Sequence, residues 1–445
     1  MSDLLSIGAS AIRANQTALG VVSENIANAG VTGYSRRTVS TAEVVSLGKT
    51  GGVAQGYGVF VTGVTRAADQ FKAAAVRTAG ADLARTEAGG VWLDRVQSAL
   101  TGAGLDSRLS AFFNAAKGVA ADPTATAPRA TMIEQARALA SAFSSTGAAL
   151  NQATAELDAT ADQSVADLNS LSAALAKVND GLGRVGANTT GAANLADQRD
   201  DILEKMSQLV DVTASFDAAG RATVRAGTGS GAMLVSGTQV ATVSYARNAE
   251  GTVAFAVKNG TDVSMLAPGG GAIGGVVDGA QRIAAARTSL AEMATDFVAG
   301  VNEVQTGGQT LDGAGGQPLF AAGASPTDIT LVMDDPRGIA AALPGEGTRG
   351  NGNLAALETL RGAAGFEENL GALVANNAAA IQARGVVGDA QAAIHDAAIM
   401  ARDAVSGVDL DREAVDLLRF QQAYQASSKV ISIARDTFQT LLDIR

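Results

Sequence analysis

Large apolar residues recur every seven positions near the start of the chain, at Leu5, Ile12, Leu19 and Ile26, with Leu4, Gly8, Ala11, Asn15 and Val22 beside them. Such a repeat predicts a helix with one apolar seam. The far end repeats the pattern, with Leu410, Leu417, Tyr424, Ile431 and Phe438 also spaced by sevens. Asp409, Asp411 and Glu413 place acid at the start of that second helix, where the helix dipole favours negative charge. Each seam residue would contribute roughly 1.5 to 3 kcal/mol if fully buried, and a lone helix cannot bury its own seam. The expectation is that the two terminal helices pair, and become well ordered only in an assembly.

Between the termini the helical spacing returns at Phe71–Leu100, around Leu105, Leu109, Phe112 and Ala116, and from Arg129 to about Leu182. A continuous helix over the last span would measure about 80 Å at ~1.5 Å per residue, a rod rather than a globule. After Val210 short alternating stretches follow, VTASF, ATVRAG, AMLVSG, ATVSYA and TVAFAV, separated by Gly, Asn and Asp turns. They predict a small antiparallel β unit. Helix resumes at about Val277, with Ile283, Leu290, Phe297, Val301 and Val304 on one face. Residues 306 to 352 are Gly-rich, with one strand at DITLVM, and Leu354 to Val405 reads as helix again. The predicted fold is mainly α with a β-rich insertion. Paired coiled-coil terminal helices (1–33 and 407–445) enclose an elongated helical-bundle middle domain (34–208, 276–306 and 351–406). A small antiparallel β domain occupies 209–275, and a Gly-rich loop or hairpin excursion occupies 307–350.

At 445 residues the chain is long enough for two to four domains. Lys and Arg number 33 against 44 Asp and Glu, a formal charge of −11, which argues against nucleic acid or an anionic membrane surface as partner. Aromatics make up only 4% of the chain, which suits close-packed helices better than an aromatic-lined ligand pocket. With no cysteine there is no disulfide, thiolate metal site or Cys nucleophile. The first residues lack the pattern of a secretory signal and no apolar run is long enough to span a bilayer, so residue physics alone reads as soluble and cytoplasmic by default.

Catalytic candidates are few. GGGAIG at Gly269–Gly274 fits G-x-G-x-x-G, but no βαβ alternation surrounds it, and a flexible domain boundary is the better expectation. His395 is the only histidine, in an Ala-rich helical stretch with no serine suitably spaced on its face. The acidic pairs Asp200-Asp201 and Asp334-Asp335 lack calcium-loop spacing and read as solvated faces and caps. Trp92 reads as a core residue. No cofactor or metal is expected.

What remains is NIANAGVTGY, residues 25 to 34, where the first repeat stops. Asn25 and Asn28 lie near the helix end, Gly30 suits a left-handed C-terminal cap, and Thr32-Gly33 allows a second reversal before Tyr34. Arg36 and Arg37 then lead into the strand-like TVSTAEVV. The stretch reads as a structural joint between a terminal helix and the rest of the chain.

VSENIANAGVTGYSRR resembles the A-N-N-I-A-N-x-x-T-x-G-Y signature of flagellar rod, hook and hook-filament junction proteins. Asn25, Ile26, Ala27, Asn28, Thr32, Gly33 and Tyr34 coincide with it, while Glu24 stands where Asn is usual. GVDLDREAVDLLRFQQAYQASSKVISIARDTFQTLLDIR looks like the matching terminal helix. ADPTATAPRATMIEQARALASAF, NLADQRDDILEKMSQLVDV and RFQQAYQA resemble the first hook-filament junction protein, the hook-associated protein 1 family. The resemblance implies an axial domain built from both termini, a helical middle and a β-rich outer domain. It also implies export through the flagellum without a cleaved signal, and hence an extracellular, non-enzymatic subunit. Its implied partners are a ring of its own copies, the hook protein, the second junction protein, and an export chaperone on the C-terminal helix. The hook protein itself or another rod or hook subunit is the alternative; a soluble nucleotide-binding enzyme, using His395 or the Gly269 loop, is a distant one.

Overall fold

The structure, a computed structural model, describes residues 2–31, 33–45, 56–227 and 229–443. It opens with α1 (Ser2–Ala27), followed by β1 (Arg37–Val45) and β2 (Gly56–Arg66), an antiparallel pair in which Arg37 faces Arg66 and Val39 faces Val64. Four helices come next: α2 (Gln70–Gly102), α3 (Leu105–Ala121), α4 (Thr126–Arg184) and α5 (Thr190–Leu209). The 59 residues of α4 extend about 90 Å at ~1.5 Å per residue. Its one proline, Pro128, sits in the first turn, where a missing N–H breaks no ladder bond.

Seven short strands then make two antiparallel sheets. β3 (Val212–Phe216), β4 (Ala222–Ala226), β5 (Met233–Ser236) and β6 (Gln239–Val240) form the first, and β7 (Thr242–Arg247), β8 (Val253–Asn259) and β9 (Asp262–Leu266) the second. Alternation sets their orientation: Ala222, Val224 and Ala226 of β4 are buried while Thr223 and Arg225 lie nearer the surface. Two asparagines of α4 hold the sheets to the long helix. Asn179 donates to the Ala222 and Gly237 carbonyls and accepts from the Ala222 amide, and Asn169 brackets the Val243 backbone in the same way.

The chain continues through α6 (Gly271–Gly307), a hairpin of β10 (Phe320–Ala322) and β11 (Ile329–Leu331), a short 3-10 turn at Pro336–Gly338, then α7 (Gly352–Ala364), α8 (Phe366–Ser406) and α9 (Leu410–Asp443). Phe297 of α6 lies at the centre of the core. Its ring is 5.4 to 6.3 Å from those of Phe112, Phe113, Phe143, Phe320 and Phe366, so one aromatic residue ties together α3, α4, α6, α8 and the β10 hairpin. Trp92 is buried in α2, as a core residue.

The molecule is mainly α with small antiparallel sheets, in agreement with the expected fold class. The strand-like reading of TVSTAEVV agrees with β1, and its partner β2, which packs on α1, was not foreseen. Two local expectations need correction. The 307–350 excursion is not simply a surface loop: Leu319, Phe320, Ile329 and Ile339 are buried in the main core. Helix α6 begins at Gly271, inside the stretch assigned to the β domain, and the Gly269–Gly274 motif is its packed first turn rather than a flexible boundary. Gly271 has φ +76, and a Cβ there would come 2.4 Å from the Leu209 carbonyl carbon. At Gly275 and Gly279 a Cβ would come 2.6 Å from Ala88 Cβ and 2.3 Å from Trp92 Cγ. Gly275 and Gly279 therefore let α6 lie directly on α2, while the motif glycines Gly271 and Gly274 pack against the Leu209–Val210 backbone and Arg85.

Candidate functional site

Helices α1 and α9 pack antiparallel, Gly8 against Ile431 and Asn25 against Glu413. The helices approach on small residues. A Cβ at Gly8 would come 2.7 Å from Ile431 Cγ1, and Ala14, Ala18, Val21 and Val22 are buried apolar positions of α1. Ile12, Leu19, Leu417, Tyr424 and Ile431 are half-buried, whereas Leu5, Ile26, Leu410 and Phe438 are exposed, Leu410 and Phe438 at 53% and 50%. The contact line of α1 with the rest of the chain is thus displaced from the line of large residues. Because α1 must also cover β1 and β2, its buried face is broad and built of small side chains, and the large ones fall to its flanks.

At the end of α1 the chain forms a closed polar joint. Asn25 is fully buried and all four of its side-chain positions are used. Nδ2 donates to the Arg37 carbonyl at 2.9 Å and to Glu413 Oε2 at 3.0 Å; Oδ1 accepts from the Tyr34 hydroxyl at 2.9 Å and the Arg37 amide at 3.0 Å. Glu413 is also fully buried and takes Arg36 Nε at 2.6 Å. Arg37, nearly buried, donates to Asn194 at 2.6 Å, Asp197 at 2.9 Å and Glu24 at 3.2 Å, with its guanidinium 4.7 Å from the centre of the Tyr34 ring. Burial raises the Tyr34 phenol above its ordinary pKa against the opposing pull of Arg37, which keeps it a donor to Asn25. Arg66, opposite Arg37 in the hairpin, pairs with Asp197 at 2.8 Å and Asp200 at 2.7 Å. Helices α1 and α9, the hairpin and α5 therefore meet in one polar network, within which Arg37 Nε, Arg66 Nε and Asp197 Oδ1 are buried without a hydrogen bond.

The sequence motif places several of these residues and misses others. Asn25 and Tyr34 are the hub and its donor. Asn28 turns back to the Glu24 carbonyl at 2.8 Å. Gly33, not Gly30, takes the left-handed conformation, at φ +82, in the turn closed by the Tyr34 amide on the Val31 carbonyl; Gly30 keeps an ordinary φ and supplies no such cap. Thr32 lies outside the described residues. Glu24, where the family pattern usually has Asn, is the third partner of Arg37. Glu413 reads in the sequence as one of three acids at a helix start, and only the fold distinguishes it: Asp409 caps the amides of Asp411 and Arg412, while Glu413 turns inward. Asn194 and Asp197 lie in the NLADQRD stretch that carries the family resemblance, which did not by itself place them at the joint, and Arg66 carries no sequence signal that singles it out.

Beside the joint lies a cleft of about 780 Å³, bounded by residues 28–31 and 33–36, the start of α2, α5 and the α8–α9 turn. Its acidic lining is engaged. Asp69 caps α2, Asp200 takes Arg66 and Arg199, Asp201 takes Lys205, and Glu204 takes Arg402. The other candidates are structural: Asp334 pairs with Arg137, Asp335 caps the 3-10 turn, and His395 lies beside Gly80 of α2. Among the described residues no three His, Asp or Glu side chains form a metal-binding group, and no helix is long and apolar enough to cross a membrane.

Three families match the chain, and together they cover both joint-forming ends. "Flagellar hook-associated protein FlgK helical domain" matches residues 92–320, "Flagella basal body rod protein" residues 5–34, and "Flagellar basal body rod FlgEFG protein C-terminal" residues 403–444. Flagellar hook-associated protein 1 of Salmonella typhimurium is 28% identical over 73% of this chain and 60% of its own length. The Bacillus subtilis protein of that name is 24% identical over 97% of this chain and 96% of its own. The match therefore spans less than two thirds of the Salmonella protein. The flagellar hook junction protein FlgK from Burkholderia pseudomallei has a similar fold, with a TM-score of 0.50 at 22% identity over 56% of this chain and 46% of that one.

Proposed function

This chain belongs to the flagellar hook-associated protein FlgK family, and from that premise we propose that it is a structural subunit of the bacterial flagellum, joining hook to filament. The observation that carries the proposal is the closed joint: a buried network commits both termini to one antiparallel helix pair, while that pair keeps large apolar side chains on its outer flanks. Leu5, Ile26, Leu410 and Phe438 have no reason to be exposed on a finished molecule, and further subunits would cover them. In this reading Ile12, Leu19, Leu417, Tyr424 and Ile431 hold the pair together and the four exposed residues form the seam with neighbours. Residues 1–33 and 407–445 form the axial part, the long helices the middle and the two sheets the outer part, which buffers a bending hook against a stiffer filament. The partners are further copies in a ring, the hook protein and the second junction protein. Export would proceed without a cleaved signal, with a chaperone shielding Val415, Leu418, Ile433 and Phe438 of α9, all exposed in the single chain. No catalytic step enters this function.

The test is electron microscopy of a strain lacking the gene, with an assay of the medium for unassembled filament protein. Completed hooks without filaments, and filament protein lost to the medium, are expected. Absent hooks would move the subunit to the hook or rod, and normal flagella would refute the axial reading.

A further inference from the structure

Arg77 of α2 is 5% exposed and lines the cleft beside the joint, yet among the described residues it has no hydrogen-bond or ion-pair partner, and its Nε is buried without one. Asp200 and Glu204 act on it through space, but neither comes within ion-pair range, and each is already held by another arginine. Burying a guanidinium without a counter-charge is costly, and the other buried or half-buried arginines of this region avoid it: Arg36, Arg37, Arg66, Arg199 and Arg402 are all paired. Arg77 is thus the buried arginine of this set whose guanidinium has no carboxylate within ion-pair range.

We propose that Arg77 is the receptor for a carboxylate side chain of a neighbouring copy of this chain, which enters the cleft when subunits assemble. The proposal rests on the structural-subunit reading above. A protein partner is favoured over a free anion because the cleft has an apolar lip: Val31 is 55% and Val405 40% exposed, and both line it. A second copy is favoured because, on the structural-subunit reading, the exposed flanks of the terminal helix pair beside this cleft are covered by further copies. The cleft also adjoins Ile26 and Leu410, the exposed flanks of the terminal helix pair, so one neighbour could cover both surfaces. The planar fork of arginine would then hold the carboxylate in a fixed orientation and set the register between subunits.

The first measurement uses the purified full-length chain as wild type and as Arg77→Met, which keeps side-chain length and removes the uncompensated charge. The melting temperature should rise by roughly 2–4 °C. A fall would mean that Arg77 is satisfied within its own chain and would overturn the proposal. In cells, Arg77→Met should leave hooks and export intact while filaments per hook drop about tenfold, as for loss of one buried interfacial charge pair; undiminished filament number would overturn it. A third experiment places Arg77→Lys beside a tagged copy and treats isolated flagella with a carbodiimide. An amide bond to Asp or Glu of a second copy supports the proposal, whereas a bond to Asp200 or Glu204 of the same chain, to another protein, or none at all, overturns it. Normal flagella in the deletion strain would instead sink the junction reading, a result the melting comparison does not depend on.

Discussion

A buried asparagine with four hydrogen bonds tolerates no substitute of its own size. Aspartate in place of Asn25 would set a carboxylate 3.0 Å from Glu413 Oε2 where an amide now donates. At neutral pH the Asn25→Asp chain should lose about 3 kcal/mol, the usual scale for a buried charge left against its like. The repulsion raises the folded-state pKa of the carboxyl pair above the unfolded value. The deficit relative to wild type is therefore largest above that raised pKa and shrinks as pH falls and one carboxyl takes up a proton. Urea denaturation of both chains at a series of pH values measures it, and a pH-independent deficit would rule out the Asn25–Glu413 contact as its source. At this scale the motif names Asn25 and Tyr34, because a polar side chain at the end of an apolar repeat is conspicuous. Glu413 was not legible: its burial depends on Arg36, which is 377 residues away.

Among the elements, α6 lies close on α2, and two kinds of residue make the contact possible. The glycines remove bulk. Gly275→Val would clash with Ala88 Cβ and the backbone of Gly89 and Arg85 and should cost about 3 kcal/mol, whereas Gly362→Ala, with nothing within 4 Å, should stabilise α7 by about 0.5 to 1 kcal/mol. Opposite shifts in the denaturation midpoint check both values. Asp278 supplies the second device, joining α6 to Arg85 of α2 at 3.0 Å and to Arg384 of α8 at 2.7 Å. Burial pushes its carboxyl up, but the two arginine hydrogen bonds outweigh this and hold its pKa below the ordinary 3.8. A lowered folded pKa stabilises fully above the unfolded value, and the gain is lost as pH falls through the folded one. Asp278→Asn should thus lower stability by about 2 kcal/mol at pH 7 and flatten the thermal stability profile below about pH 4. Helix spans were legible here because 3.6-residue periodicity survives burial on one face. The β2 strand and the start of α6 were not: Gly56, Gly58 and Gly63 break up the alternation of β2, and glycines that serve packing look in sequence like glycines that break helices.

Across the whole molecule, the arrangement divides labour between holding the ends together and leaving their flanks free. Ile431 belongs to the first task, seated over Gly8 and half-buried. Ile431→Asp should part α1 from α9 and abolish incorporation into flagella while α2 to α8 keep their cooperative unfolding, because the phenylalanine core lies elsewhere. Micrographs of the mutant strain, together with circular dichroism melting of the purified chain, test both halves. Normal junctions in that strain would remove Ile431 from the proposed pairing. The heptads announced two helices in need of company, but their large residues pointed to flanks rather than to the line of contact, since a repeat of large side chains does not show that glycine and alanine bring the helices together.

The joint also has a consequence in time. A chain made from its first residue onward presents Asn25, Tyr34 and Arg37 early, yet the side chain that closes the hub, Glu413, lies 388 positions later. Such a sequence separation makes the contact among the last that folding can complete. Any product ending before α9 leaves the hub open and its buried polar groups unmet, so an incomplete chain cannot present the same terminal surface as a complete one. The binding of Glu413 by Asn25 and Arg36 thus marks the difference between a chain that includes α9 and one that stops short of it.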